Sequence, residues 1–125
     1  MNVAKIHLVL GILWLLGGMV LGEQMGRTGD HGQMPTHAHI MLVGGVLPVL
    51  WAIINRVWRV GSGLLAWIQL ILHHGGTGVM VYGLFALYGG GDAEALGPML
   101  GVSAGLVILA TLLMLWMALR GKAEA

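Results

Sequence analysis

Long apolar runs alternate with short polar or glycine-rich stretches along the chain, at about Ile6–Gly22, Ala38–Ile54, Leu64–Tyr88 and Leu96–Leu119. Each run reaches, or nearly reaches, the roughly 20 residues that an α-helix needs to cross the hydrocarbon core of a bilayer. The pattern predicts an all-α fold, an integral membrane four-helix bundle in a single domain spanning residues 1–125. We expect its helices at about 5–24, 35–58, 62–89 and 95–120.

The composition favours the same location. Mean hydropathy is +0.88, with 58% hydrophobic and only 9% charged residues, which is too apolar for an ordinary soluble domain. The net charge is only +1 and no basic cluster follows a helix face. We therefore expect the lipid bilayer, and not nucleic acid, as the surrounding partner.

Basic residues predict the orientation. Five of the six basic residues would lie on one side of the membrane: Lys5, Arg56, Arg59, Arg120 and Lys122. Arg27 would lie on the other side. The positive-inside rule then predicts a multi-pass protein of a prokaryotic inner (cytoplasmic) membrane, with both termini in the cytoplasm. Lys5 before the first run would also suit a signal peptide, but we take that run as a retained first helix.

Glycine accounts for 22 of the 125 residues, so its use matters for the packing. In membrane helices, small residues generally allow neighbouring backbones to approach closely. Glycines that flank the histidines, such as Gly44 and Gly76, could instead leave room for a flat macrocycle between helices. Pro48 lacks an N–H group, which predicts a kink near Gly44 and Gly45.

The apolar runs hold no carboxylate, lysine or arginine, which argues against a proton pump or antiporter. Their distinctive polar groups are imidazoles and the amide of Gln69. The chain has no cysteine, which excludes disulfides, iron–sulfur clusters, thiolate zinc sites and covalently attached haem. Any haem would therefore be b-type and bound without a covalent link.

Four histidines in the second and third predicted helices are the candidate ligands: His37, His39, His73 and His74. Counting about 1.5 Å of helical rise per residue from Arg56 and Arg59 places all four in one broad layer toward the outer side. Two antiparallel helices that present histidines at one depth could hold a bis-imidazole haem.

The spacing refines this assignment. His37 and His39 point about 200° apart on a helix, so they would serve two different sites. His73 and His74 point about 100° apart, so at most one of them would face the same cofactor. We predict haem ligation by His37 or His39 together with His73 or His74, with metal bonds from these residues.

Other polar residues receive supporting roles. Gln69 and Thr77 lie one turn before and after His73, and we expect them to orient its second ring nitrogen. We expect His7, near the cytoplasmic end, to be an interhelical hydrogen-bonding group and not a ligand. His31 lies in a loop and should be solvated.

The stretch "PTHAHIMLVGG" resembles the H-A-H segment of the haem–copper oxidase superfamily, especially its nitric oxide reductase and C-type oxidase branches. In those catalytic subunits, each histidine of H-A-H ligates one haem. The stretch "LAWIQLILHHGGTGVM" is similar to the following helix in short four-helix relatives, with His73, His74 and Gly76 in the pattern. The resemblance covers roughly residues 29–80 and implies one or two haems b, for electron transfer or for binding of O₂ or NO.

This chain also departs from that superfamily. Full-length members have many more helices, a copper or non-haem iron site with further histidines, and carboxylates for proton supply, none of which is recognisable here. We do not expect the chain alone to be a complete oxidase. We expect a homo-oligomer, in which the outward histidine of H-A-H serves a second haem, and a respiratory electron donor as a partner.

Two other functions fit the same residues. His31 and His37, with Met34 or Asp30, could bind copper or zinc at the periplasmic mouth, as in a metal carrier or assembly factor. The chain could also be a haem-free structural subunit of a respiratory complex, with its histidines serving as packing hydrogen bonds.

Overall fold

The computed structural model describes residues 1–60 and 63–122, and in these residues helices are the only regular secondary structure. The four long helices are α1 (Val3–Thr28), α2 (Met34–Val57), α3 (Leu64–Tyr88) and α4 (Ala93–Arg120). All four are long and apolar enough to cross a membrane, so the all-α fold is confirmed and the chain is a multi-pass membrane protein. The helix ends lie within a few residues of the predicted ones. The predicted start at residue 62, and residues 123–125, lie outside the described residues.

Local sequence signals explain several helix ends. The Asn2 side chain accepts a hydrogen bond from the Lys5 N–H at 2.9 Å, and the Asp92 side chain accepts one from the Glu94 N–H at 3.0 Å. Both side chains thereby cap N–H groups that have no partner within their helix. Helix α1 ends at Gly29, whose φ of 73° lies in the left-handed region that glycine adopts without strain.

Helix α2 changes its hydrogen-bonding pattern along its length. It consists of an α-helical turn, a π-helical segment and a second α-helical segment, at Met34–His39, Ile40–Val46 and Leu47–Val57. The Leu47 N–H bonds to the carbonyl of Leu42, five residues back instead of four. A π-helix, a feature that often marks functional positions, therefore lies directly before Pro48, where the sequence predicts a kink.

Glycines bring the helices together in pairs. A Cβ atom added at Gly18 of α1 would lie 2.5 Å from Met41 Sδ of α2, and one added at Gly44 would lie 2.9 Å from Trp14 Cγ of α1. On α3, a Cβ at Gly76 would lie 2.9 Å from Leu106 Cβ of α4. The space at Gly44 and Gly76, which could have held a macrocycle, is thus filled by side chains of neighbouring helices.

A hydrophobic cluster lies at the end of the bundle that carries both ends of the described chain. It contains Val3, Trp51, Val60, Ala66, Leu70, Met114 and Met117, drawn from every helix and from the α2–α3 loop. Elsewhere the bundle is thin, because only 22% to 33% of the most apolar window of each helix is buried within the chain. Most of the surface of each helix therefore faces lipid or another protein.

Gly17 and Gly18 offer a matched test of the α1–α2 packing. We expect Gly18→Leu to destabilise the fold by about 1–3 kcal/mol through overpacking, because Gly18 faces Met41 and Ile40 at close range. Gly17 has open space where its Cβ would be, so Gly17→Leu should have little effect. Both changes gain the same helix propensity. Thermal unfolding in one detergent measures the difference, and equal stabilities would contradict this packing.

Candidate functional site

The membrane histidines form two separate groups. We call His7, His73 and His74 the imidazole cluster, and His37 and His39 the H-A-H pair. His74 Nε2 lies 3.1 Å from His7 Nδ1, whereas His37 Nδ1 lies 2.8 Å from the carbonyl oxygen of Gly18. His7 and Gly18 are both on α1 and are eleven residues apart, which is about 16 Å of helical rise. The structure therefore places the two groups at two levels and not in the single layer expected from sequence.

The α2–α3 loop explains this difference. A helical rise counted from Arg59 places His73 too far along the bundle, because Arg59 has a left-handed φ of 45° and α3 begins only at Leu64. The His73 ring contacts α2 at the Val43 carbonyl, four residues and about 6 Å of rise beyond His39. His73 and His74 therefore meet His7 near the start of α1, about one helical turn or more from the level of the H-A-H pair.

The imidazole cluster is tightly grouped and largely buried, with His74 half-buried. The ring centroids of His7 and His74 are 5.1 Å apart, and those of His73 and His74 are 5.2 Å apart. His7 and His73 are both fully buried. Within residues 1–60 and 63–122, however, no group of three or more His, Cys, Asp or Glu side chains is arranged to hold a metal ion.

His73 uses both of its ring nitrogens for hydrogen bonds to α2. Its Nε2–H donates to the carbonyl oxygen of Val43 at 2.9 Å, and its Nδ1 accepts from the indole N–H of Trp51 at 3.3 Å. An indole nitrogen can only donate and a carbonyl oxygen can only accept, so these partners fix the tautomer. In this arrangement His73 has no lone pair left for a metal.

The local sequence of α2 creates the need for His73. The Leu47 N–H is already bonded to Leu42, and Pro48, which is next along the π-helical pattern, has no N–H. The Val43 carbonyl is thereby left without a backbone donor in a membrane-spanning segment, where an unpaired carbonyl is costly. His73 of α3 supplies the missing hydrogen bond.

His7 connects α1 to α3. Its Nε2–H donates to Gln69 Oε1 at 2.9 Å, and its Nδ1 accepts from His74 Nε2 at 3.1 Å. The prediction that His7 is an interhelical hydrogen-bonding residue is confirmed. Gln69 thus orients His7 and not His73, and Thr77 donates its hydroxyl to the backbone carbonyl of His73 at 2.6 Å instead of orienting the ring.

Two polar atoms of this network are buried without a hydrogen-bond partner, Nε2 of Gln69 and Nδ1 of His74. The Gln69 side chain itself is fully buried. Both ring nitrogens of His7 and of His73 therefore have hydrogen-bond partners, whereas Gln69 and His74 each keep one polar side-chain atom without a partner.

The H-A-H pair shows a different pattern. His37 Nδ1–H donates to the Gly18 carbonyl at 2.8 Å, and His39 Nδ1–H donates to the Pro35 carbonyl at 2.7 Å. Because a carbonyl can only accept, each neutral ring keeps its lone pair on Nε2. Both side chains are half-buried, and neither Nε2 has a hydrogen-bond partner or is enclosed in the protein. Two imidazoles with oriented, unpaired Nε2 lone pairs result.

A glycine of α1 makes room for the His37 ring. A Cβ atom at Gly22 would lie 2.7 Å from Cε1 of His37, so the ring rests directly on the backbone of α1. Gly18, Gly22 and Trp51 are not among the residues selected from the sequence. The i, i+4 spacing of the two glycines is nevertheless a signal for close helix approach. His31 is exposed in the loop before α2, as expected.

Replacing His73 should cost more stability than replacing its neighbour. His73→Leu leaves the Val43 carbonyl and the Trp51 indole N–H unpaired, each worth about 1–3 kcal/mol when buried. His74→Leu leaves only His7 Nδ1 unpaired and removes a buried nitrogen that has no partner. Unfolding free energies in the same detergent compare the two variants, and an equal or larger loss for His74→Leu would contradict the assigned bonds.

Pro48→Ala should relieve the dependence on His73. The new Ala N–H can donate to the Val43 carbonyl in the π-helical pattern, so the carbonyl no longer needs a side chain from α3. We expect His73→Leu to cost about 1 kcal/mol less in the Pro48→Ala background than in the natural sequence. A double-mutant cycle measures this coupling, and independent effects of the two changes would disprove it.

Comparison with known proteins does not assign this arrangement to a family. No protein-family model, no curated protein and no solved structure matches the chain. Its function must therefore be inferred from the side chains described above.

Proposed function

We propose that the chain is a membrane b-type haem protein, related to the haem–copper oxidase catalytic core through its H-A-H segment, that serves electron transfer or the binding of a diatomic gas. His37 and His39 are the axial ligands through Nε2. The observation that carries this proposal is that both residues donate Nδ1–H to a backbone carbonyl and keep an Nε2 without a hydrogen-bond partner. Metal-ligating histidines are generally oriented by such a bond from the other ring nitrogen.

Haem suits this donor set better than a bare metal ion. A porphyrin brings four nitrogen ligands of its own, so one or two imidazoles complete the coordination. A copper or zinc carrier site needs three or more protein ligands, and no such group of His, Cys, Asp or Glu is assembled in the described parts of the chain. This observation ranks the haem proposal above a metal site built from His31, His37, Met34 and Asp30.

The proposed ligand set is narrower than the one expected from sequence. His73 has both ring nitrogens engaged, and His74 lies with His7 at the other level of the bundle. The proposed site therefore does not include a haem held between α2 and α3 of one chain. A second axial ligand would come from another copy of the chain or another subunit, or the position would stay open.

The chain's own residues have defined tasks at this site. The Gly18 and Pro35 carbonyls hold the proton on Nδ1 of each ring, which keeps Nε2 unprotonated and fixes the ring orientation. Gly22 lets the His37 ring lie against α1. When bound, haem supplies a one-electron redox centre or, with one axial position open, a coordination position for O₂ or NO.

The test is a reduced-minus-oxidised visible spectrum of protein purified after haem-supplemented expression, recorded with and without CO. We expect a Soret band that weakens by about half, or is lost, in His37→Ala and in His39→Ala, depending on whether one or two haems bind. His31→Ala, which changes an exposed loop histidine, is the matched control and should keep the full band.

Each result has a definite meaning. Absorption bands that do not change on addition of CO indicate two axial histidines and electron transfer. A Soret band that shifts with CO indicates an open axial position and gas binding. A folded but colourless protein overturns the haem proposal. Metal analysis then separates a copper or zinc protein from a structural subunit of a respiratory complex.

A further inference from the structure

An open groove lies between α1 and α2 at the end of the bundle that carries the start of α1. It has a volume of about 590 Å³ and lies between residues 2–8 of α1 and residues 52–57 of α2. Its apolar lining includes Leu8, Ile53 and Val57, which are 40%, 51% and 49% exposed. These side chains offer a hydrocarbon surface that the chain itself leaves uncovered.

Two cations line the same groove. Lys5 and Arg56 both contribute to its wall, and neither makes an ion pair within the described chain. Asn2 lies beside them, with its side-chain oxygen bonded to the Lys5 backbone N–H. The groove therefore combines an apolar surface with two positive charges.

The distribution of charge over the bundle strengthens this combination. Of the described acidic residues, Glu23, Asp30, Asp92 and Glu94 all lie toward the opposite end, near the α1–α2 and α3–α4 connections. No described carboxylate is therefore placed to neutralise Lys5 or Arg56. A ligand that supplies a negative charge and a hydrocarbon chain would complement both features of the groove.

We infer that this groove is a binding site for an anionic phospholipid. The acyl chain lies along Leu8, Ile53 and Val57, and the phosphate lies at Lys5 and Arg56. Basic pockets between membrane helices recognise anionic headgroups in this way, with each basic residue adding to the attraction. A second copy of the chain fits poorly, because a two-fold contact over the groove would bring two Lys5–Arg56 pairs together without a carboxylate of residues 1–60 or 63–122 between them.

Native mass spectrometry of the purified full chain, with phosphatidylglycerol or phosphatidylcholine of identical acyl chains, tests this inference. We expect one phosphatidylglycerol to be retained in preference to phosphatidylcholine. The double variant Lys5→Gln/Arg56→Gln should bind phosphatidylglycerol on the order of tenfold more weakly. Arg120→Gln/Lys122→Gln removes the same charge at the same end, outside the groove lining, and should keep the preference.

A third variant tests the apolar part of the groove. Leu8→Trp keeps both cations but fills the space for an acyl chain, so it should also reduce retention of phosphatidylglycerol. Equal binding of the two lipids, equal losses in both charge variants, or unchanged binding in Leu8→Trp would each overturn the inference. A protein dimer that forms and excludes lipid from the groove would overturn it in favour of a second copy. None of these readouts depends on haem.

Discussion

A backbone carbonyl inside a bilayer cannot turn to water for a hydrogen bond, and the carbonyl of Val43 is such a group. The π-helical bond from Leu47 to Leu42 and the missing N–H of Pro48 leave it without a donor on its own helix. His73 of α3 provides the donor, and Trp51 of α2 holds the same ring from its other nitrogen. This one requirement fixes the tautomer of His73 and joins α2 to α3.

The chain uses histidine in two chemically different ways. In the imidazole cluster, both ring nitrogens of His7 and of His73 form hydrogen bonds within the protein, which makes these two histidines structural residues. In the H-A-H pair, each ring bonds through Nδ1 only, to a backbone carbonyl, and its Nε2 has no hydrogen-bond partner. The number of occupied ring nitrogens separates His7 and His73 from the proposed ligands. His74 also has an unpaired nitrogen, Nδ1, but that atom is buried within the imidazole cluster.

Because the bundle is thin, its stability depends on the lipid or protein that surrounds it. Because most of each helix surface is not covered by the chain, lipid or a partner must complete the burial of its apolar surface. The end of the bundle with Lys5 and Arg56 is cationic, and the opposite end holds the described acidic residues. The distribution of Lys and Arg is the basis of the positive-inside prediction, and the separation of acidic from basic residues supports the proposed preference for an anionic lipid.

The sequence by itself determined the four helices, because apolar runs of membrane-spanning length can satisfy their backbone only as helices. It also determined that His37 and His39 point apart, since that follows from helical geometry alone. Only the tertiary structure decided that His73 meets His7 and contacts α2 at Val43, because the depth of α3, which begins at Leu64, depends on how the helices pack. It likewise decided which ring nitrogens stay free. For His37 and His73, the carbonyl that accepts the hydrogen bond from the ring belongs to a different helix. The periodicity of the sequence along one helix cannot predict which carbonyl of a neighbouring helix lies beside the ring.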